Sequence, residues 1–83
     1  MLDPITRKLA QGANYAALTT LFPNGNPQTQ VMWVDADENY LYMNTEIHRE
    51  KYKNIDNDSR VSILIWKNDD PFKYVEVRGN VES

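Results

Sequence analysis

With 83 residues, nine Lys and Arg against twelve Asp and Glu, and a net charge of −3, the chain makes at most one small, acidic domain. It has no cysteine, which excludes disulfides and thiolate metal sites, and a single histidine, which argues against an all-protein zinc site. No apolar run approaches the roughly 20 residues of a membrane span and no signal-peptide pattern precedes Leu2, so a soluble, cytoplasmic protein is expected. A core this small is only just sufficient, so a partner subunit, a ligand or further chain is expected to add stability.

The chain opens with Leu2-Asp3-Pro4-Ile5, a helix start in which Asp3 suits the N-cap and Pro4 the first turn. The expected helix covers residues 4–11, with Ile5 and Leu9 on a narrow apolar stripe and Gly12 as its left-handed terminator. Residues 15–22 read as a strand. The turn at 23–27 carries Asn24-Gly25, able to take positive φ, and residues 28–34 return as the second strand of a hairpin. On that strand Thr29, Val31 and Trp33 share one face, and Gln30, Met32 and Val34 the other. The acidic run 35–39 is expected as a turn. Residues 40–44 are expected as a third strand, Leu41 and Met43 facing away from Tyr40 and Tyr42.

Beyond that strand the charge changes sign. Arg49, Lys51 and Lys53 place three of the nine basic residues within five positions of an acidic chain. A strand end, a hydroxyl at Thr45 and basic residues at a helix start form the layout of an anion site, where free N–H groups and the helix dipole converge. Arginine grips a phosphate through a bidentate fork and lysine adds a point charge. The competing reading is a solvated helix face. The helix is expected to run about nine residues, to bury Tyr52 and Ile55, and to end at residues 56–59. Residues 61–66 are β-branched and nearly continuous, the pattern of a strand covered on both sides. After a turn at 68–71, residues 74–82 alternate, valines inward and charges outward. Five strands and a short intervening helix fit a mainly β fold, an antiparallel barrel or half-barrel forming one domain over residues 1–83. Residues 81–83 still read as strand, so a missing C-terminal part is expected.

No Ser/His/Asp or Cys/His arrangement is present for nucleophilic catalysis. His48 lies among cations that disfavour its protonated form, and reads as a cap or surface residue. The acidic pairs Asp35/Asp37 and Asp69/Asp70 fall in turns, and three scattered glycines make no phosphate loop. An enzyme with these residues would take its hard chemistry from a bound cofactor.

Five stretches, in order, carry a family resemblance. They are Ala17-Leu18-Thr19-Thr20 before Asn24-Gly25 and Pro27-Gln28; Val31-Met32-Trp33-Val34; Asn44-Thr45 followed by Arg49-x-Lys51-x-x-Asn54-Ile55; Asp58-Ser59-Arg60-Val61-Ser62; and Asp70-Pro71-Phe72-Lys73-Tyr74-Val75-Glu76-Val77-Arg78-Gly79. The set resembles the split β-barrel flavin and deazaflavin oxidoreductases, the pyridoxamine 5'-phosphate oxidase-like superfamily, and most of all its deazaflavin-dependent branch. The resemblance implies a split β-barrel of the FMN-binding type. It implies an F420-type deazaflavin coenzyme, with FMN as the alternative. Asn44 and Thr45 match residues on the coenzyme's phosphate side, and Arg49 and Lys51 the basic pair that binds the phosphate. Gln30, Val31 and Trp33 match the strand along which the ring lies, and Phe72 and Lys73 a cofactor-lining segment. It further implies a homodimer with the cofactor at its interface and hydride transfer with a small organic substrate, without a catalytic side chain that can be named.

Residues two apart on a helix point about 200° apart, so Arg49 must lie in the entry loop or the first turn if both basic groups reach one anion. Ser59 stands where the family has proline, and the family's last strands and later helix are absent. A non-catalytic flavin- or deazaflavin-binding module is the alternative. A small nucleic-acid-binding barrel using Tyr52, Trp33 and Trp66 is disfavoured by net acidity and the lack of a wider basic stripe. Neither membrane nor nucleic acid is therefore expected as a partner.

Overall fold

The computed structural model describes the backbone of residues 1–43 and 50–82, and the side chains of all of these but residues 50–52. Helix α1 (Pro4–Gln11) begins as the sequence predicts: the Asp3 carboxylate accepts from the backbone N–H groups of Ile5 and Thr6, both at 3.1 Å. It buries Thr6 and Ala10, while Ile5 is exposed. Its end differs from expectation. Gly12 has φ −84°, and the left-handed residue is Ala13 at φ 57°. The glycine answers a close approach instead, since a Cβ there would lie 3.0 Å from Asn14 Nδ2. That amide nitrogen donates to the Leu9 carbonyl at 2.9 Å, a second donor to an acceptor that the Gly12 N–H already meets at 3.3 Å.

Strands β1 (Tyr15–Leu21) and β2 (Pro27–Trp33) form the predicted hairpin, in register from Tyr15 opposite Trp33 to Leu21 opposite Pro27. Gly25 takes φ 88° in its turn. Strand β3 (Asp35–Ala36) replaces part of the predicted acidic turn; it pairs with β4 (Leu41–Tyr42), which is shorter than the predicted 40–44. The cause is Asp37, whose Oδ1 accepts from the N–H groups of Asn39 and Tyr40 and whose own N–H donates to the Tyr40 carbonyl at 3.0 Å, so the turn closes at 37–40 and Asp35 and Ala36 are left to pair. Helix α2 (Glu50–Asn57) leads to β5 (Arg60–Lys67) and β6 (Asp70–Asn80). The last hairpin turns at residues 68–69, tighter than predicted, and residues 71–73 bulge between the Lys67–Asp70 and Trp66–Tyr74 pairs.

All pairings are antiparallel, and the main sheet has the order β2-β1-β5-β6. Its inner face carries Ala16, Leu18, Met32, Ile63 and Ile65, which pack with Ala10, Val34 and Ala36 as the core. Strand β5 departs from the expectation of cover on both sides, because Leu64 is exposed on the outer face: one layer of core lies beneath the sheet and nothing among the described residues covers it from outside. The architecture is sheet-rich with two short helices, in agreement with the fold class expected from the sequence. No helix among the described residues is long and apolar enough to cross a membrane.

Candidate functional site

Strand β2 is an edge of the sheet among the described residues, so one side of its backbone offers N–H and C=O groups to a ligand. Strand alternation puts Val31 and Trp33 on the outer face, where they are 63% and 60% exposed. Trp33 stacks on Tyr15 across the ladder, ring centroids 4.2 Å apart. Gln30 points the other way, its Oε1 buried without a hydrogen-bond partner among the described residues. The two faces of one edge strand thus supply an apolar platform and an unmet acceptor. Only the apolar platform faces outward, where a flat ring could lie; the Gln30 acceptor is buried on the opposite side of the strand.

Phe72 and Lys73 sit in the β6 bulge, Phe72 91% exposed. They adjoin the outer-face pair Tyr74–Trp66; Trp66 is on the strand next to that of Tyr15, and Tyr74 is three strands from Trp33. Hence Val31, Trp33, Trp66 and Tyr74 share the outer face, with the bulge at its β6 border, and Gln30 is on the other face. Of the predicted anion site, Asn44, Thr45 and Arg49 lie outside the described residues, as does His48. Lys51 is the second residue of α2, and its side chain also lies outside them.

The inside of α2 differs in part from expectation. Tyr52 lies outside the described side chains and Ile55 is only half-buried; the buried residue is Asn54, 0% exposed. Its Nδ2 donates to Thr20 Oγ1 at 3.0 Å and to Gln28 Oε1 at 3.3 Å. Asn54 belongs to one of the family-like stretches, and an asparagine inside a short helix, where its propensity is poor, is the signal that it is held by tertiary bonds.

A second concavity, a cleft of about 560 Å³, opens between β4 and the β5–β6 hairpin. Leu18, Val61, Ile63 and Val77 line it, with Tyr40 and Tyr42 also on its wall. Tyr42 donates its hydroxyl to Asp37 Oδ2 at 2.5 Å; this bond holds the Asp37 carboxyl below its ordinary range and pushes the Tyr42 phenol up. The Tyr40 phenol is pushed up by the neighbouring Glu82 carboxylate. Among the described residues, none of the predicted coenzyme residues (Gln30, Val31, Trp33, Phe72, Lys73) lines this cleft. Among the described residues no group of three or more His, Cys, Asp or Glu could hold a metal ion.

The pyridoxamine 5'-phosphate oxidase family model matches residues 2–83. A solved structure named F420 reductase is 32% identical and superposes with a TM-score of 0.87, covering 100% of this chain and 65% of that one. A conserved hypothetical protein from Mycobacterium tuberculosis is 24% identical at TM-score 0.80, covering 99% of this chain and 52% of its own length. The General Stress Protein 26 from Bacillus anthracis is 23% identical at TM-score 0.76, covering 92% and 57%. The last two share the fold; the chain spans about two thirds or less of each of these three proteins. No curated protein matches. A match running from residue 2 to residue 83, on a sheet-rich fold shared with these structures, leaves one conclusion: the chain belongs to the pyridoxamine 5'-phosphate oxidase family.

Proposed function

We propose that the chain is the coenzyme-binding part of an oxidoreductase that takes a phosphate-bearing flavin-type coenzyme, an F420-type deazaflavin ahead of FMN. The observation that carries this reading is the likeness to the F420 reductase over the whole chain. The exposed edge of β2, with its apolar platform of Val31 and Trp33, supports it. In this reading the ring lies along Gln30, Val31 and Trp33, with Phe72 and Lys73 at its border. Asn44, Thr45, Arg49 and Lys51 hold the phosphate. The bound coenzyme supplies hydride transfer to or from a small organic substrate; the side chains orient it and exclude water.

Two charge-assisted contacts contribute about 1.5–3 kcal/mol each, whereas micromolar affinity needs about 8 kcal/mol. Burial of the ring must provide the rest. We propose that a second copy does this in a homodimer, meeting the aromatic outer face of Tyr15, Trp33 and Tyr74, which nothing in the described chain covers. A cytoplasmic setting goes with this reading.

Purification of the intact protein, its absorbance spectrum, and titration with both coenzymes test it. Retention of either chromophore, or saturable binding near micromolar concentration, is expected. Failure to bind either coenzyme would overturn the assignment. Binding without turnover over a panel of small organic substrates under anaerobic conditions would reduce it to a coenzyme-holding module.

A further inference from the structure

Asn54 is the wholly buried residue of α2 among those described, and the bonds it makes are unusual for their placement. Thr20 and Gln28, its two partners, face each other across the β1–β2 ladder. The amide therefore straddles one rung and ties the helix to both strands of the hairpin at once. Its Oδ1 is buried with no partner among the described residues. For burial alone a leucine would serve better, since it leaves no acceptor unmet. What the asparagine adds is direction, because hydrogen bonds fix where and at what angle the helix meets the strands.

Among the described residues little else does so. The helix packs mainly against β1, and of its other described side chains Lys53, Asp56 and Asn57 are exposed and Ile55 half-buried. The same helix carries Lys51 one turn before Asn54, and Gln28 lies two residues before Gln30 on one face of β2.

We infer that Asn54, held by Thr20 and Gln28, is a positioning residue that sets the distance between the start of α2 and the ring-binding stretch of β2. This rests on the proposed coenzyme reading, in which one ligand engages both places. A ligand gripped at two points gains from the second only when the protein holds both at the ligand's own spacing.

The test uses the full chain, two variants of the clamp (Thr20→Val and Asn54→Leu) and one reference variant (Lys51→Ala). Four probes are titrated: the F420-type coenzyme, FMN, riboflavin as a ring without phosphate, and inorganic phosphate. Thermal unfolding identifies folded variants, and Thr20→Val, the mildest change, decides if Asn54→Leu does not fold. In folded Thr20→Val the affinity for whole coenzyme should fall about tenfold, the scale of one buried hydrogen bond. Riboflavin and phosphate, each using one point, should bind as in the parent. Backbone amides of α2 should also exchange faster in the ligand-free variant. Unchanged coenzyme affinity, or an equal loss for all the probes, would overturn the positioning role. If Lys51→Ala also leaves coenzyme binding untouched, or the parent takes up no coenzyme, the underlying reading falls as well.

Discussion

The two helices are equally long, eight residues each, and are secured in opposite ways. Helix α1 is fastened by its ends and its core face. Asp3 caps one end, Asn14 the other, and Thr6 and Ala10 are buried. Asn14 also accepts from the Asn68 backbone N–H at 3.0 Å, tying the helix end to the β5–β6 turn. Helix α2 has no such footing among the described residues; its anchor is one buried amide set across the β1–β2 ladder. Caps and apolar burial make a helix stable wherever its face fits, whereas directional bonds make it stay at one place. The contrast separates a helix that completes the core from one that, in the proposed reading, is placed for a ligand.

Four experiments sharpen or break that contrast. The largest effect is expected from Arg49→Ala combined with Lys51→Ala. Losing two charge-assisted contacts of about 1.5–3 kcal/mol each should weaken coenzyme binding by two orders of magnitude or more in a titration. The unfolding midpoint should hardly move, because Arg and Lys side chains are rarely part of a core. Next comes Ile65→Ala, which removes the largest fully buried side chain. A loss of about 2–5 kcal/mol in urea unfolding is expected, with the affinity of the folded fraction retained. Asp3→Ala follows, at about 1 kcal/mol for an N-cap. It should lower stability without touching coenzyme affinity, and an affinity loss here would erase the distinction between the helices.

The smallest effect is a pH dependence. The Asp58 carboxylate, between α2 and β5, accepts from the Arg60 guanidinium and backbone N–H, which hold its pKa at about 2. A carboxyl with a depressed folded-state pKa stabilises fully above its ordinary value near 3.8 and loses this as pH falls through about 2. Replacement by asparagine should therefore flatten a slight acid-side decline between about pH 4 and pH 2, seen as a Tm difference between Asp58→Asn and the parent that narrows with acid.

Much of the fold is legible in the amino-acid sequence alone, and for local reasons. Asp3-Pro4 and Asn24-Gly25 are short-range signals whose chemistry acts within two or three residues, and α1 and the first hairpin follow them. Alternation along β2 likewise sorts Val31 and Trp33 from Gln30 and Met32 correctly. The departures from expectation come from tertiary contacts. Leu64 sits in a continuous apolar run, yet nothing among the described residues covers it on the far side of the sheet, and no local pattern records that. Ala13 rather than Gly12 is left-handed because Asn14 folds back on the helix end, a contact that residue preferences do not encode. At the candidate site the strand-borne part is legible through its period. The anchoring of α2 is not, because an apolar-face rule looks for Tyr52 and Ile55 and passes over a buried asparagine.

The most direct test of the central claim is a footprint: backbone amide shifts of isotope-labelled protein recorded by NMR as the F420-type coenzyme or FMN is added. A coenzyme laid along β2 with its tail at the start of α2 should move residues 30–33 and 44–51 together, with the same midpoint. Shifts gathered instead at Tyr40, Val61, Ile63 and Val77, the lining of the apolar cleft, with β2 unmoved, would contradict it.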